Sequence, residues 1–138
     1  MRALTIHEPW ASLIMAGQKR FETRGRKTNV RGPLAIHAAR KPMSEEGIRL
    51  AVKYGITPQY GMVLGVVNLK SCTFSSMNSD EKVISNYLNR ASNFHQELEL
   101  GDFSHGRYAW EMEVSEKFET PIPAKGQQGF WNWDERTV

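Results

Sequence analysis

Apolar and polar positions alternate at the start of the chain and pass to helical spacing near residue 10. Residues 2–6 read as a short first strand. Trp10, Leu13 and Ile14 then recur at i, i+3 and i+4, one apolar face of a helix over about 9–16. Pro9 suits the first turn of that helix, where a missing N–H costs nothing, and Gly17 suits its end. Residues 20–24 give a second strand, 25–32 a basic loop, and 33–38 a third strand of buried character, closed off by Pro42. Residues 44–54 are helix-like, with Ser44 as N-cap and Gly55 as stop. The apolar run 61–74 is a long strand, and Gly65 inside it predicts a bend.

A polar helix is expected over 79–89, and the polar, aperiodic residues 91–105 form an excursion. Over 107–115 the alternation returns: Tyr108, Trp110, Met112 and Val114 share one face, and Arg107, Ala109, Glu111 and Glu113 the other. Pro121 and Pro123 mark an extended edge, 125–129 a turn, and 130–133 a closing apolar segment. Five or six strands with interspersed helices lack the regular strand–helix–strand rhythm of a doubly wound sheet. They predict an α+β fold, a small mixed β-barrel with flanking helices. The 138 residues fit a single domain over 1–138, without repeat or linker.

Composition narrows the picture. No apolar run approaches the ~18 residues needed to span a membrane, and the start has no apolar signal core, so a cytoplasmic protein with no membrane partner is expected. The lone Cys72 excludes an internal disulfide and a multi-cysteine zinc site, and its place at the end of an apolar run fits a half-buried structural thiol. His7, His37, His95 and His105 share no metal-ligand spacing, so no metal is expected, and no cofactor motif is present. No feature of the sequence sets an oligomeric state.

Charge changes the picture more. Between Lys19 and Lys41 stand eight cations and only one carboxylate, Glu22: a net +7 in a chain of net +3. The rest of the chain is therefore mildly acidic. A basic focus of this kind suits a phosphate-bearing or polyanionic partner, although a solvated basic loop would look the same.

The constellation with chemical content is Gly17-x-Lys19-x-x-Glu22-x-Arg24. On a strand, Glu22 and Arg24 lie two residues apart on one face, and Lys19, in the turn before it, can fold over that face. A carboxylate between two cations has two uses. Arg24 and Lys19 can hold a phosphate or carboxylate, or Lys19 and Glu22 can share proton transfer. It can also be a plain ion pair.

The stretch from Pro9-Trp10-Ala11-Ser12-Leu13-Ile14 through that motif resembles the opening of ASCH domains, relatives of the PUA RNA-binding barrel. The segments 34–39, Arg107-Tyr108-Ala109-Trp110 and Pro121-x-Pro123-x-Lys125-Gly126-x-x-Gly129-Phe130-Trp131 resemble the family's later strands, in the right order. The resemblance implies a small PUA-like mixed β-barrel with a cleft lined by the motif. It further implies an RNA- or nucleotide-binding module. The alternative it offers is a hydrolase acting on a modified nucleoside, as the N4-acylcytidine amidohydrolases do, or on RNA. In those amidohydrolases the position matching Glu22 is a threonine, whereas the motif lysine is shared.

Lys19 and Glu22 are thus the catalytic candidates. Ligand contacts are expected from Pro9, Trp10, Lys19, Arg24, Arg26, His37, Lys125, Gly126 and Trp131. Trp10 can stack on a base or pack in the core, and His37 can touch ligand or be a satisfied core histidine. Lys125-Gly126 can offer N–H groups and a charge to phosphate or simply turn the chain.

Overall fold

The computed structural model describes residues 1–75 and 94–135; the helix expected over 79–89 lies outside the described residues. Its elements run β1 (Arg2–Ile6), α1 (Trp10–Met15), β2 (Phe21–Arg24), β3 (Gly32–Ala38), α2 (Glu45–Tyr54), β4 (Met62–Phe74), α3 (Phe94–Leu100), β5 (Tyr108–Pro123) and β6 (Phe130–Asn132). The strands form one six-stranded sheet in the order β2-β5-β4-β3-β1-β6. β1 and β3 pair in parallel, and the other pairings are antiparallel. The sheet curls into a half-barrel, the α+β fold expected from the sequence. No helix among the described residues is long and apolar enough to cross a membrane.

The core follows from the alternation. Leu4, Ile6, Leu34, Ile36, Leu64, Leu69, Trp110 and Met112 point inside the curl, where Ile14 and Met15 of α1 meet them. Burying each such side chain contributes about 1.5–3 kcal/mol. Gly65 is where the long strand β4 bends. Its pairing with β5 shifts register between Val63 and Gly65, and a Cβ there would lie 2.2 Å from the Glu116 carbonyl oxygen and 2.5 Å from the Met15 methyl. Only glycine lets the two strands and α1 approach so closely. α2 is capped as expected: the Ser44 hydroxyl accepts the Gly47 N–H, and Gly55 ends the helix in the left-handed region at φ 67°.

Three expectations on extent are corrected. β5 runs to Pro123 rather than ending near residue 115. Beyond its short pairing with β2, the strand has β4 on one side only, and residues 115–117, 119 and 120 are all exposed, so no apolar period marks it. Pro121 and Pro123 fit there because the other side of the strand has no N–H partner to satisfy. Within the excursion expected over 91–105, whose first three residues lie outside the described ones, residues 94–100 form a helix docked on the start of β2. Ala109 is buried despite its place on the expected outer face, since β2 and β4 flank it on both sides.

Candidate functional site

The edges of the half-barrel, β2 and β6, do not pair with each other. The curl instead brings the end of β2 to β1, where the Arg24 guanidinium donates to the Thr5 carbonyl at 3.0 Å. The Trp110 and Phe130 rings stack across the same gap, 5.6 Å between centroids and 10° from parallel. Beside this seam lie two neighbouring cavities that share four lining residues and are treated as the outer and inner lobes of one cleft. The outer lobe, about 810 Å³, is walled by Thr5, His37, Arg26, Arg40, Arg107 and the turn 125–129. The inner lobe, about 230 Å³, is walled by Ile6, Trp10, Lys19, Leu100 and Asp102. His7, Glu22, Thr23 and Arg24 border both.

Lys19, Glu22 and Arg24 all border the inner lobe. The Glu22 carboxylate lies 3.4 Å from the Arg24 guanidinium. Arg24 also lies over the Trp110 ring, 5.5 Å from its centroid, while its Nε is buried with no acceptor among the described residues. Lys19 is only 1% exposed, yet it borders the inner lobe, and its amine donates to the Leu100 carbonyl at 3.1 Å. Burial pushes its pKa below the ordinary lysine value, and the nearby Glu22 and Glu97 carboxylates oppose that shift.

Glu97 is the residue that the sequence did not single out. Its carboxylate accepts the backbone N–H of Arg20 at 2.7 Å and of Phe21 at 3.2 Å. It is 1% exposed, and burial raises its pKa against the pull of those two N–H groups and of Lys19. The segment around it grips the same strand edge. Gln96 donates to the Gln18 carbonyl, Asp102 N–H donates to the Thr23 hydroxyl, and Arg107 donates to the Thr23 carbonyl. α3 and the following turn thus take the place of a neighbouring strand along the outer edge of β2. Only the proximity of a glutamate to an aperiodic stretch could have hinted at this.

The second wall is set by His37. Its Nε2–H donates to the Ala124 carbonyl at 2.8 Å, because a carbonyl can only accept. Nδ1 is then the acceptor, for the Thr5 hydroxyl at 3.1 Å, and Thr5 in turn accepts the Trp131 indole N–H at 2.9 Å. Burial and the charge of Arg40 hold the imidazole pKa below its ordinary value, so the neutral form fits this chain of bonds. His37 is both a satisfied histidine and part of the outer wall. Gly126 packs flat against it: a Cβ there would lie 2.3 Å from the ring, and φ is +72°.

Most of the expected contact residues border the cleft. Trp10 walls the inner lobe, and Arg26, His37, Lys125 and Gly126 wall the outer. Two do not. Pro9 is buried, with its ring against α2 at Gly47, and borders neither lobe. Trp131 lies behind the wall, edge-on to His37, and faces a separate cavity. Thr5, His7, Arg40 and Arg107 enter the site unannounced: each stands in or beside a strand that the curl carries to the seam. Among the described residues no cluster of three metal-binding side chains occurs, and Cys72 is half-buried against the core.

A curled mixed sheet with a basic cleft at its seam defines a small PUA-like half-barrel. The chain belongs to the ASCH family, whose domain model matches residues 4–122. It is similar to human activating signal cointegrator 1, 39% identical over an 80-residue alignment that covers 50% of this chain and 14% of that protein. The crystal structure of an ASCH protein from Zymomonas mobilis superposes with a TM-score of 0.59 at 15% identity, over 98% of this chain and 88% of the other. A single-residue variant of that protein superposes at 0.55 and 13% identity, over 98% and 89%.

Proposed function

We propose that the seam cleft binds RNA or a nucleotide-like ligand. The observation that supports this most is the charge of the outer lobe: Arg24, Arg26, Arg40, Arg107 and Lys125 border it against the single carboxylate of Glu22. Arg26, Arg40 and Lys125 have no ion-pair partner among the described residues. Cations left unpaired around a concave surface attract anions, and guanidinium groups suit phosphate in particular. The half-buried Trp10 adds a flat apolar wall for a base. Family membership accords with an RNA partner. The test is titration of a labelled single-stranded oligoribonucleotide into the protein at low salt. Binding that weakens in Arg24→Ala supports the reading, and an absence of binding by the wild type sinks it.

A second reading, hydrolysis of an acylated nucleoside or of RNA, is favoured by Lys19. A buried amine of lowered pKa, bordering a cleft and flanked by Glu22 and Glu97, can take a proton from an attacking water. On an acylated base, that water would add to the amide carbonyl, and the amide nitrogen would leave with a proton. Product formation from N4-acetylcytidine or RNA, lost in Lys19→Met, would establish it. No turnover by the wild type over such a panel would end it.

A further inference from the structure

The two lobes differ in charge as well as in size. Four carboxylates border the inner lobe, those of Glu22, Glu46, Glu99 and Asp102, against two cations, Lys19 and Arg24. The outer lobe has the reverse, five cations against Glu22 alone. Each of those carboxylates already has a cation, Arg24 for Glu22, Arg49 for Glu46, Lys53 for Glu99 and Arg107 for Asp102, so a phosphate placed in the inner lobe would find carboxylates at its border and no cation free of one except the buried Lys19. A base or sugar, uncharged and rich in amino and hydroxyl donors, meets acceptors there and the Trp10 and Leu100 surfaces.

From this segregation we propose that the cleft is divided into a base subsite and a phosphate subsite. Its ligand is accordingly a phosphate-bearing nucleotide and not a free nucleoside. Arg40 and Lys125 make the distinction. Both border the outer lobe, one after β3 and one in the turn beyond β5. Arg40 is already seated. Its side chain lies along Gly61, where a Cβ would come within 3.2–3.3 Å of it, so less of its freedom is lost on binding. Gly61 is itself fixed between the two strands, donating to the Ala38 carbonyl and accepting from the Ala124 N–H. Lys125 follows Ala124 directly, so the same backbone bridge sets the span between the two cations.

The phosphate can come from a mononucleotide or from a strand, and the proposal rests on the nucleotide-binding reading above. The experiment is calorimetric titration of three probe sets: the four nucleosides, their 5′-monophosphates and a single-stranded hexaribonucleotide. Wild type, Arg40→Gln/Lys125→Gln and Lys41→Gln are compared. Both target side chains are exposed, so the double variant is expected to keep its fold, which its melting temperature checks. The expected result is a phosphate-bearing probe binding at least about tenfold tighter than the matching nucleoside, the order of one charge-assisted hydrogen bond. That advantage falls to about twofold or less in the double variant, with nucleoside affinity unchanged, and persists in Lys41→Gln. An advantage seen with the monophosphates assigns a phosphomonoester, and one seen with the hexanucleotide alone assigns a diester of a strand. Equal affinity for nucleoside, monophosphate and hexanucleotide overturns the phosphate subsite and leaves the proposed function standing. An equal loss of advantage in Lys41→Gln overturns the role of Arg40 and Lys125. Failure of every probe to bind overturns the proposed function itself.

Discussion

Lys19 concentrates the chemistry of the cleft in one side chain. A surface lysine is solvated and stays charged at neutral pH, whereas this amine has one carbonyl acceptor and almost no solvent. Its folded pKa is lowered, so the folded chain binds this proton less tightly than the unfolded one, and its contribution to stability rises with pH up to the ordinary value of 10.5. NMR of ε-labelled lysines should show Lys19 titrating below the ordinary lysine value of 10.5, and a midpoint at that value would refute the burial argument. Gly126 makes a second residue-scale case. An alanine there must adopt positive φ and push its Cβ into His37, so Gly126→Ala should lose about 1–3 kcal/mol in urea unfolding. Gly129→Ala, with the same φ but open space around it, should lose only the backbone strain, roughly 1 kcal/mol. Equal losses would show that the His37 contact carries no weight. Spacing alone was enough to place Glu22 and Arg24 together. It could not reveal that Lys19 is sealed, because the seal is made by residues some 80 positions away.

The elements that could be read from the sequence are those with a period or a cap. α1 and α2 have both an apolar face and glycine stops, and β1, β3 and β4 have apolar alternation or runs. α3 has neither, since Phe-His-Gln-Glu-Leu-Glu-Leu is mostly polar and it docks through hydrogen bonds as much as through apolar burial. Glu97 is the centre of that docking. Glu97→Ala would remove the carboxylate that accepts from the Arg20 and Phe21 N–H groups, at a cost of about 1–3 kcal/mol. Amide exchange at both positions should quicken, and unchanged exchange would show that the carboxylate does not hold the strand edge. The same residue gives a pH dependence of fixed sign. Burial raises its folded pKa above the ordinary 4.5, so the folded chain holds this proton where the unfolded chain releases it. Its contribution is full below pH 4.5 and is lost as pH rises through the raised value. Glu97→Gln should therefore flatten the fall in urea midpoint above pH 4.5, and an unaltered profile would rule that origin out.

At the scale of the molecule, the cleft exists because the sheet curls without closing. A closed barrel would spend the end of β2 on a neighbouring strand. Here the seam is bridged by the Arg24 donation to Thr5 and the Trp110–Phe130 stack, and the space beside those bridges stays open. The count and type of strands were legible in the sequence, and so was the basic focus around the motif. The seam was not, because it depends on strand order: β2 lies at one edge beside β5, while β1, its near neighbour in sequence, lies at the far side of the sheet. That order also brings Arg40 and Lys125, distant in sequence, to one wall. It converts a run of local charges into an anion-attracting surface whose effect is measurable as a whole. Affinity for a single-stranded oligoribonucleotide should fall with salt at a log–log slope of roughly −0.7 per phosphate contacted. With the three unpaired cations Arg26, Arg40 and Lys125 engaged, the slope should be roughly −2. Replacing Lys125 by glutamine should reduce it by roughly 0.7, while Lys70→Gln, which removes a cation outside the cleft already paired with Glu113, should leave it unchanged. A flat salt dependence would mean that the charges around the seam are only solvated, and that whatever the cleft holds is recognised without a phosphate.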